Sequence, residues 1–211
     1  MADPEEANDS VDMIVAQIDT IRGGIAAASR AITIIQTLPP PPTHLIGSYD
    51  LRLPGSPASL VISVNHRIAE MIDGSGDMLL DVGGLAQMVG LNTWHDANQW
   101  HMAKLSYTQH AVPLYADHVC RLIAAYRGKS RKCLVLDLDN TLWGGVIGDD
   151  GVSGISLGQG DPVGEAHLSI QSVALQLRAL GVVLAVSSKN DDSTAREPFR
   201  SHPDMLLSES D

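Results

Sequence analysis

The run CLVLDLDNTLWGG, Cys133 to Gly145, tells more about the fold than any other part of this 211-residue chain. Its first four residues are apolar throughout, long enough for a strand and too short for a helix. Such a run predicts a strand covered on both faces, as in a parallel sheet. Asp137 and Asp139 follow, then Thr141 and a glycine pair. In parallel α/β sheets chemistry collects just beyond the carboxyl ends of the strands, where these carboxylates would lie.

Side chains at i and i+2 project to one side while the chain stays extended. One carboxylate can then attack a phosphoryl or acyl centre while the other handles the proton of the leaving group or of water. A hard cation such as Mg2+ would take one or two such carboxylates together with phosphate oxygens. An EF-hand loop is excluded, because it needs glycine at its sixth position and, counted from Asp137, this chain has Leu142. A glycosyltransferase-type D-x-D turn fits the spacing but finds no support elsewhere in the chain. A merely solvated acidic turn would not normally follow a buried strand.

Composition narrows the class. With 44% apolar residues and 18% charged ones the chain is a packed globule, not a disordered segment. A formal charge of −11 argues against nucleic acid and anionic membrane surfaces as partners. Two cysteines, Cys120 and Cys133, make no disulfide framework, and Cys133 sits in the strand as a small hydrophobe. The acidic start MADPEEANDS is not a signal peptide, and no apolar run is long enough for a bilayer. A reducing, cytoplasmic setting is expected.

Beyond the acidic turn, glycines at 148, 151, 154 and 158 predict a hairpin over Val146–Gly158, a candidate flap that would exclude water. Glu165–Leu180 predicts a helix whose apolar side carries Leu168, Val173, Leu175, Leu177 and Leu180, closed by Gly181. Val182–Val186 predicts a second buried strand, ending in Ser187-Ser188-Lys189-Asn190. Hydroxyls and backbone N–H groups before a new helix can hold phosphate. Asn190 or Asp191 would cap that helix, Pro198 would kink its last turn, and Met205–Leu207 would form the next strand.

DLDNT, Asp137 to Thr141, resembles the first motif, D-x-D-x-T, of the haloacid dehalogenase (HAD) phosphotransferase superfamily. The longer string DLDNTLWGGVIGDDG, with LAVSSKN at Leu184–Asn190, resembles a narrower group, the FkbH-like proteins. These load three-carbon glyceryl units onto acyl carrier proteins in polyketide pathways. The resemblance implies Asp137 as phosphoryl-directed nucleophile and Mg2+ ligand. It implies Asp139 as general acid/base that also binds Mg2+ through its backbone carbonyl, and Thr141 as a brace of the turn. Thr141, Ser187, Ser188, Lys189 and Asn190 would form the substrate and phosphate site, with Ser188 as the second HAD motif. The implied activity moves a glyceryl unit from a bisphosphorylated glycerate to an acyl carrier protein, with loss of phosphate. A generic Mg2+-dependent phosphatase and a non-catalytic interaction module are the alternatives.

The chain departs from that group twice. Ser187 stands where many members carry Cys in a CSKN string, and a serine hydroxyl is a much poorer nucleophile without an activating base. The residues after Ser188 supply neither the later Lys or Arg nor the later acidic pair in a strand-end setting, so the domain reads as truncated at its C-terminus.

Upstream, residues 1–10 predict a frayed tail, with Ser10 capping a helix from Val11 that presents Ile14, Ile18, Ile21 and Ile25. Ile32–Leu38 predicts a strand stopped by four prolines, 43–57 a loop, 59–72 a helix, Met78–Val82 a strand and 113–127 a further helix. Trp94, His95, Trp100, His101 and His110 invite a metal-site reading. The pairs six apart do not share a helix face, so anchoring aromatics and surface imidazoles are expected instead. This half resembles the back of the SGNH-hydrolase-like module that precedes the HAD domain in FkbH-like proteins. None of the eight histidines has Asp three residues before it, so a non-catalytic scaffold is expected, a candidate surface for a carrier protein. The expected architecture is α/β: a partial SGNH-like module at 1–127, a linker at 128–132, and an incomplete HAD-like Rossmannoid domain with a parallel sheet at 133–211.

Overall fold

Short parallel strands form where the apolar runs predict them, in two separate units divided between Gly128 and Lys129. The computed structural model describes residues 3–211. The first unit holds α1 (Pro4–Ala28), β1 (Ile34–Gln36), α2 (Pro57–Ile72), β2 (Met78–Leu80), α3 (Val82–Val89), α4 (Leu91–Trp94), α5 (Ala97–Ala103) and α6 (Val112–Tyr126). β1 and β2 pair in parallel, Ile34 beside Met78 and Gln36 beside Leu80, with α2 as the crossover. Alternation along the strands sends Ile35 and Leu79 into a core with Val11, Val64, Ile68 and Ile72. It sends Ile34 and Leu80 into another core with Val82, Leu85, Ala86 and Trp94. Both faces of this sheet are covered, which is why its strands read as continuous apolar runs.

The first helix starts at Pro4, seven residues earlier than the expected Val11. Proline at the first helical position and Glu5 and Glu6 in the first turn suit that start. Ser10 lies inside the helix and donates to the Glu6 carbonyl at 2.8 Å, so it is not a cap. Of the expected tail, Met1 and Ala2 lie outside the described residues. The strand expected over Ile32–Leu38 is shorter because side chains claim its ends. Thr33 N donates to Asp77 at 2.9 Å, and Leu38 N donates to Asn65 Oδ1 at 2.7 Å.

The second unit holds β3 (Cys133–Leu136), α7 (Ile147–Asp150), α8 (Pro162–Ala179), β4 (Val183–Val186) and α9 (Asp192–Ser201). β3 and β4 pair in parallel, Cys133 beside Val183 and Leu136 beside Val186, with α8 as the crossover. Leu136, Leu138, Leu142, Trp143, Ile147 and Ala174 lead its core, with Leu134, Leu168, Leu175 and Leu184 packed against it.

Several expectations are corrected here. β3 is not covered on both faces: Leu134 and Leu136 face the core, but Val135 is 59% exposed, Val183 is 62% exposed, and Cys133 is exposed, not buried. A run without alternation hides which side is covered. Val173 on α8 and Leu180 just beyond it are exposed, and the helix's inward face is Leu168, Gln171, Ala174 and Leu175. Val146–Gly158 forms no regular hairpin. Val146 N donates to Asp150 at 2.8 Å, curling the segment into α7, and Ser156 forms an isolated antiparallel bridge with Gly144. Met205–Leu207 is not a strand, because Leu206 N and Leu207 N donate to the Gln171 side chain. No described helix is long and apolar enough to cross a membrane.

Asp77 shows what holds the first unit's sheet edge. The Thr33 hydroxyl and N–H, then the Arg22 guanidinium at 2.9 Å, hold its carboxyl down to about 2. A depressed carboxylate contributes stability above its unfolded value, and that contribution is lost as pH falls towards 2. Asp77→Asn should therefore cost about 1–3 kcal/mol at pH 7 and flatten the stability profile between about pH 4 and pH 2, as read by thermal melts.

Candidate active site

β3 ends at Leu136 and delivers Asp137 exposed, Leu138 fully buried and Asp139 half-buried. Leu138 anchors the turn: its side chain enters the core and its carbonyl accepts Thr141 N at 3.1 Å and Leu142 N at 2.8 Å. Asn140 takes the left-handed conformation, φ 56°, and closes the loop on Gly145. Its N–H donates to the Gly145 carbonyl at 3.2 Å, and its Oδ1 accepts Gly145 N at 3.0 Å.

The two carboxylates differ sharply. Asp139 Oδ1 accepts the Trp143 indole N–H at 3.1 Å and Ile147 N at 3.0 Å, while Oδ2 accepts Asn190 Nδ2 at 2.7 Å. Burial pushes its carboxyl up, but the bonds from Ile147, Asn190 and Trp143 together outweigh burial and hold it below the usual range. Asp139 is thus an anion near neutral pH. Asp137 accepts one local bond, from Leu138 N at 2.9 Å, and otherwise faces solvent.

The end of β4 lies alongside. Ser187 N donates to the Leu136 carbonyl at 2.9 Å, which sets exposed Ser187 next to Asp137. The Ser188 hydroxyl accepts both Asn190 N and Asn190 Nδ2 at 3.2 Å, so Asn190 bridges the two strand ends. Asn190 therefore does not cap α9. Asp191 holds that position without a side-chain bond, and Lys189 is exposed. Thr141 holds the turn through its backbone, with its N–H on Leu138 and its carbonyl against His167 Nδ1 at 2.8 Å. A cleft of about 460 Å³ opens beside Ser188 and Asn190, floored by Leu136 and Leu138 and rimmed by Asp192 and Arg196.

Trp143, His167 and Gln171 support the site without having been singled out by sequence. Their available signals were an indole four residues after Asp139 and a His and Gln on one face of the next helix. Among the described residues, at the strand ends as in the upstream His and Trp segment, no three His, Cys, Asp or Glu side chains gather into a cluster. Trp94 is instead fully buried core, and Trp100 is exposed. A cation at the strand ends would find the Asp137 carboxylate and the turn's carbonyls. Mg2+ accepts such hard-oxygen sets with one or two carboxylates and completes its shell with water or phosphate oxygens.

No family model matches the chain, and no curated protein matches it. Among solved structures it is similar to the N-terminal part of the protein BF1531 from Bacteroides fragilis, which contains a phosphatase domain and was crystallised with Mg. The TM-score is 0.87 and the identity 28% over 99% of this chain. The fold is of the HAD type. The chain spans 55% of that structure's own length.

The turn geometry orders the effects of substitution at Asn140. Asn140→Gly keeps the left-handed backbone but loses the bond to Gly145, whereas Asn140→Ala loses the bond and adds about 1–2 kcal/mol of backbone strain. Denaturant unfolding should rank Ala below Gly and Gly below the wild type.

Proposed function

We propose that this chain performs Mg2+-dependent phosphoryl chemistry of the HAD phosphatase kind on a phosphorylated substrate. The pairing of β3 with β4 carries the proposal, because it sets Asp137 next to Ser187 and Ser188 at adjacent strand ends. Likeness to a phosphatase domain crystallised with Mg supports it independently.

In this scheme Asp137 attacks phosphorus, the bond to the leaving oxygen breaks, that oxygen takes a proton from solvent, and an aspartyl phosphate forms. Water then attacks that phosphorus and frees Asp137, releasing phosphate. Asp139, the second carboxylate of the turn, would take the proton of that water, giving up one of its three donors to do so. Ser188 and the N–H groups before α9 hold the phosphate oxygens. Asp137 and the backbone carbonyl of Asp139 would hold Mg2+, which shields the repulsion between the anionic nucleophile and the phosphate.

The strings DLDNTLWGGVIGDDG and LAVSSKN support a narrower form of this chemistry, in which a bisphosphorylated glycerate gives its glyceryl unit to an acyl carrier protein. Ser187, exposed next to Asp137, is the residue through which that unit would pass. Residues 1–127, read as a partial SGNH-like module joined by a linker at 128–132, would then serve as the scaffold that meets the carrier. Free Cys120 and Cys133 fit a reducing, cytoplasmic setting.

With p-nitrophenyl phosphate and Mg2+, the wild type should release phosphate, and Asp137→Asn should reduce kcat/KM by about a thousandfold or more. Intact-mass spectrometry of an acyl carrier protein distinguishes the narrower form by a glyceryl mass increase. A wild type that releases no phosphate would favour a non-catalytic interaction module.

A further inference from the structure

The helix that crosses from β3 to β4 does more than cover one side of the sheet. His167 and Gln171 lie four residues apart on α8, so they sit one above the other on a single face. His167 Nδ1 lies 2.8 Å from the Thr141 carbonyl. Gln171 Nε2 donates to the next carbonyl, that of Leu142, at 2.8 Å. Consecutive carbonyls of the acidic turn are therefore gripped by consecutive turns of one helix.

The chemistry of each partner fixes its role. A carbonyl oxygen only accepts, so the imidazole must carry its proton on Nδ1. Its Nε2 lies against the turn backbone, where a Cβ on Gly144 would come within 3.3 Å of it. Gln171 is fully buried, and both its amide nitrogen and its amide oxygen are bonded internally: its Oε1 accepts Leu206 N at 2.9 Å and Leu207 N at 3.3 Å. It links the acidic turn to the last segment of the chain. A buried amide bonded through both its nitrogen and its oxygen favours one arrangement, because flipping it breaks all three bonds.

We infer that His167 and Gln171 are positioning residues for the phosphoryl site, holding the Thr141–Leu142 backbone so that Asp137 and Asp139 keep their places at the end of β3. The inference rests on the phosphatase proposal for its catalytic consequence, but the clamp itself is a matter of geometry. It separates two jobs on one turn: Asn140 and Leu138 shape it from within, and α8 fixes where it sits.

The test uses the stereochemistry of the donor. Asn places an amide nitrogen close to the position of Nδ1, and Gln places one further out, near Nε2. His167→Asn should therefore keep most of the wild-type kcat on p-nitrophenyl phosphate with Mg2+. His167→Gln should lose about tenfold to a hundredfold in kcat with KM little changed, the size expected for a reacting group displaced by a fraction of its reach. Both variants should remain folded at the assay temperature in parallel thermal melts, so that the activity difference is not a loss of folded protein. Equal activity loss in both variants, or activity loss that simply tracks melting temperature, would overturn the positioning role. Should the wild type hydrolyse no phosphate ester, the phosphatase proposal fails, and amide NMR shifts then decide the clamp. His167→Gln should move the Leu138–Gly145 amides and His167→Asn should leave them close to wild type, whereas equal movement in both refutes it. Gln171→Met offers an additional check if it folds, since it should move the same amides and those of Leu206 and Leu207.

Discussion

The carboxylate of Asp139 is the interaction on which the second unit is built. Three donors reach it from three separate pieces of chain: Trp143 within the turn, Ile147 at the start of α7, and Asn190 after β4. A half-buried anion cannot be left short of donors without a cost of several kcal/mol, so each of those pieces is fixed in place by the same charge. The turn closes because Trp143 must reach back, α7 begins where Ile147 N must point inward, and the end of β4 is drawn to the end of β3. Trp143 adds packing to this by burying its ring against Phe199 of α9, with ring centroids 5.8 Å apart.

That arrangement gives two carboxylates, two residues apart, opposite characters. Asp139 is surrounded by donors and committed as an anion, while Asp137 has one local bond and faces the solvent. A nucleophile must be accessible, so the division fits the proposed attack by Asp137, while Asp139 ties the turn, α7 and the end of β4 together. Asn190, expected to contact phosphate, is engaged with Asp139 and Ser188 in this structure.

The strands, the crossover helix and the acidic turn were legible in the sequence because each has a local cause: an unbroken apolar run, a helical period closed by glycine, carboxylates at a strand end. What was not legible depends on tertiary partners. Cys133 and Val135 lie in a run with no alternation, so nothing local says that their face is the exposed one. Met205–Leu207 has the composition of a strand, yet a buried glutamine on α8 takes its N–H groups. The glycines after Val146 suggested a hairpin, but Asp150 curls that segment into α7. Ser10 matched a helix-cap pattern, yet Pro4 with its acidic neighbours makes an earlier start. His167 and Gln171 read as ordinary polar positions on an amphipathic helix until the turn they hold is in place.

The nucleophilic role of Asp137 is the central claim, and beryllium fluoride tests it directly, because this ion forms a stable mimic of an aspartyl phosphate on an accessible carboxylate. Fluorine NMR of the protein with Mg2+ and beryllium fluoride should show a protein-bound resonance that survives Asn140→Gly and disappears in Asp137→Asn. A bound resonance that persists in Asp137→Asn, or the lack of any bound resonance in the folded wild type, would contradict it.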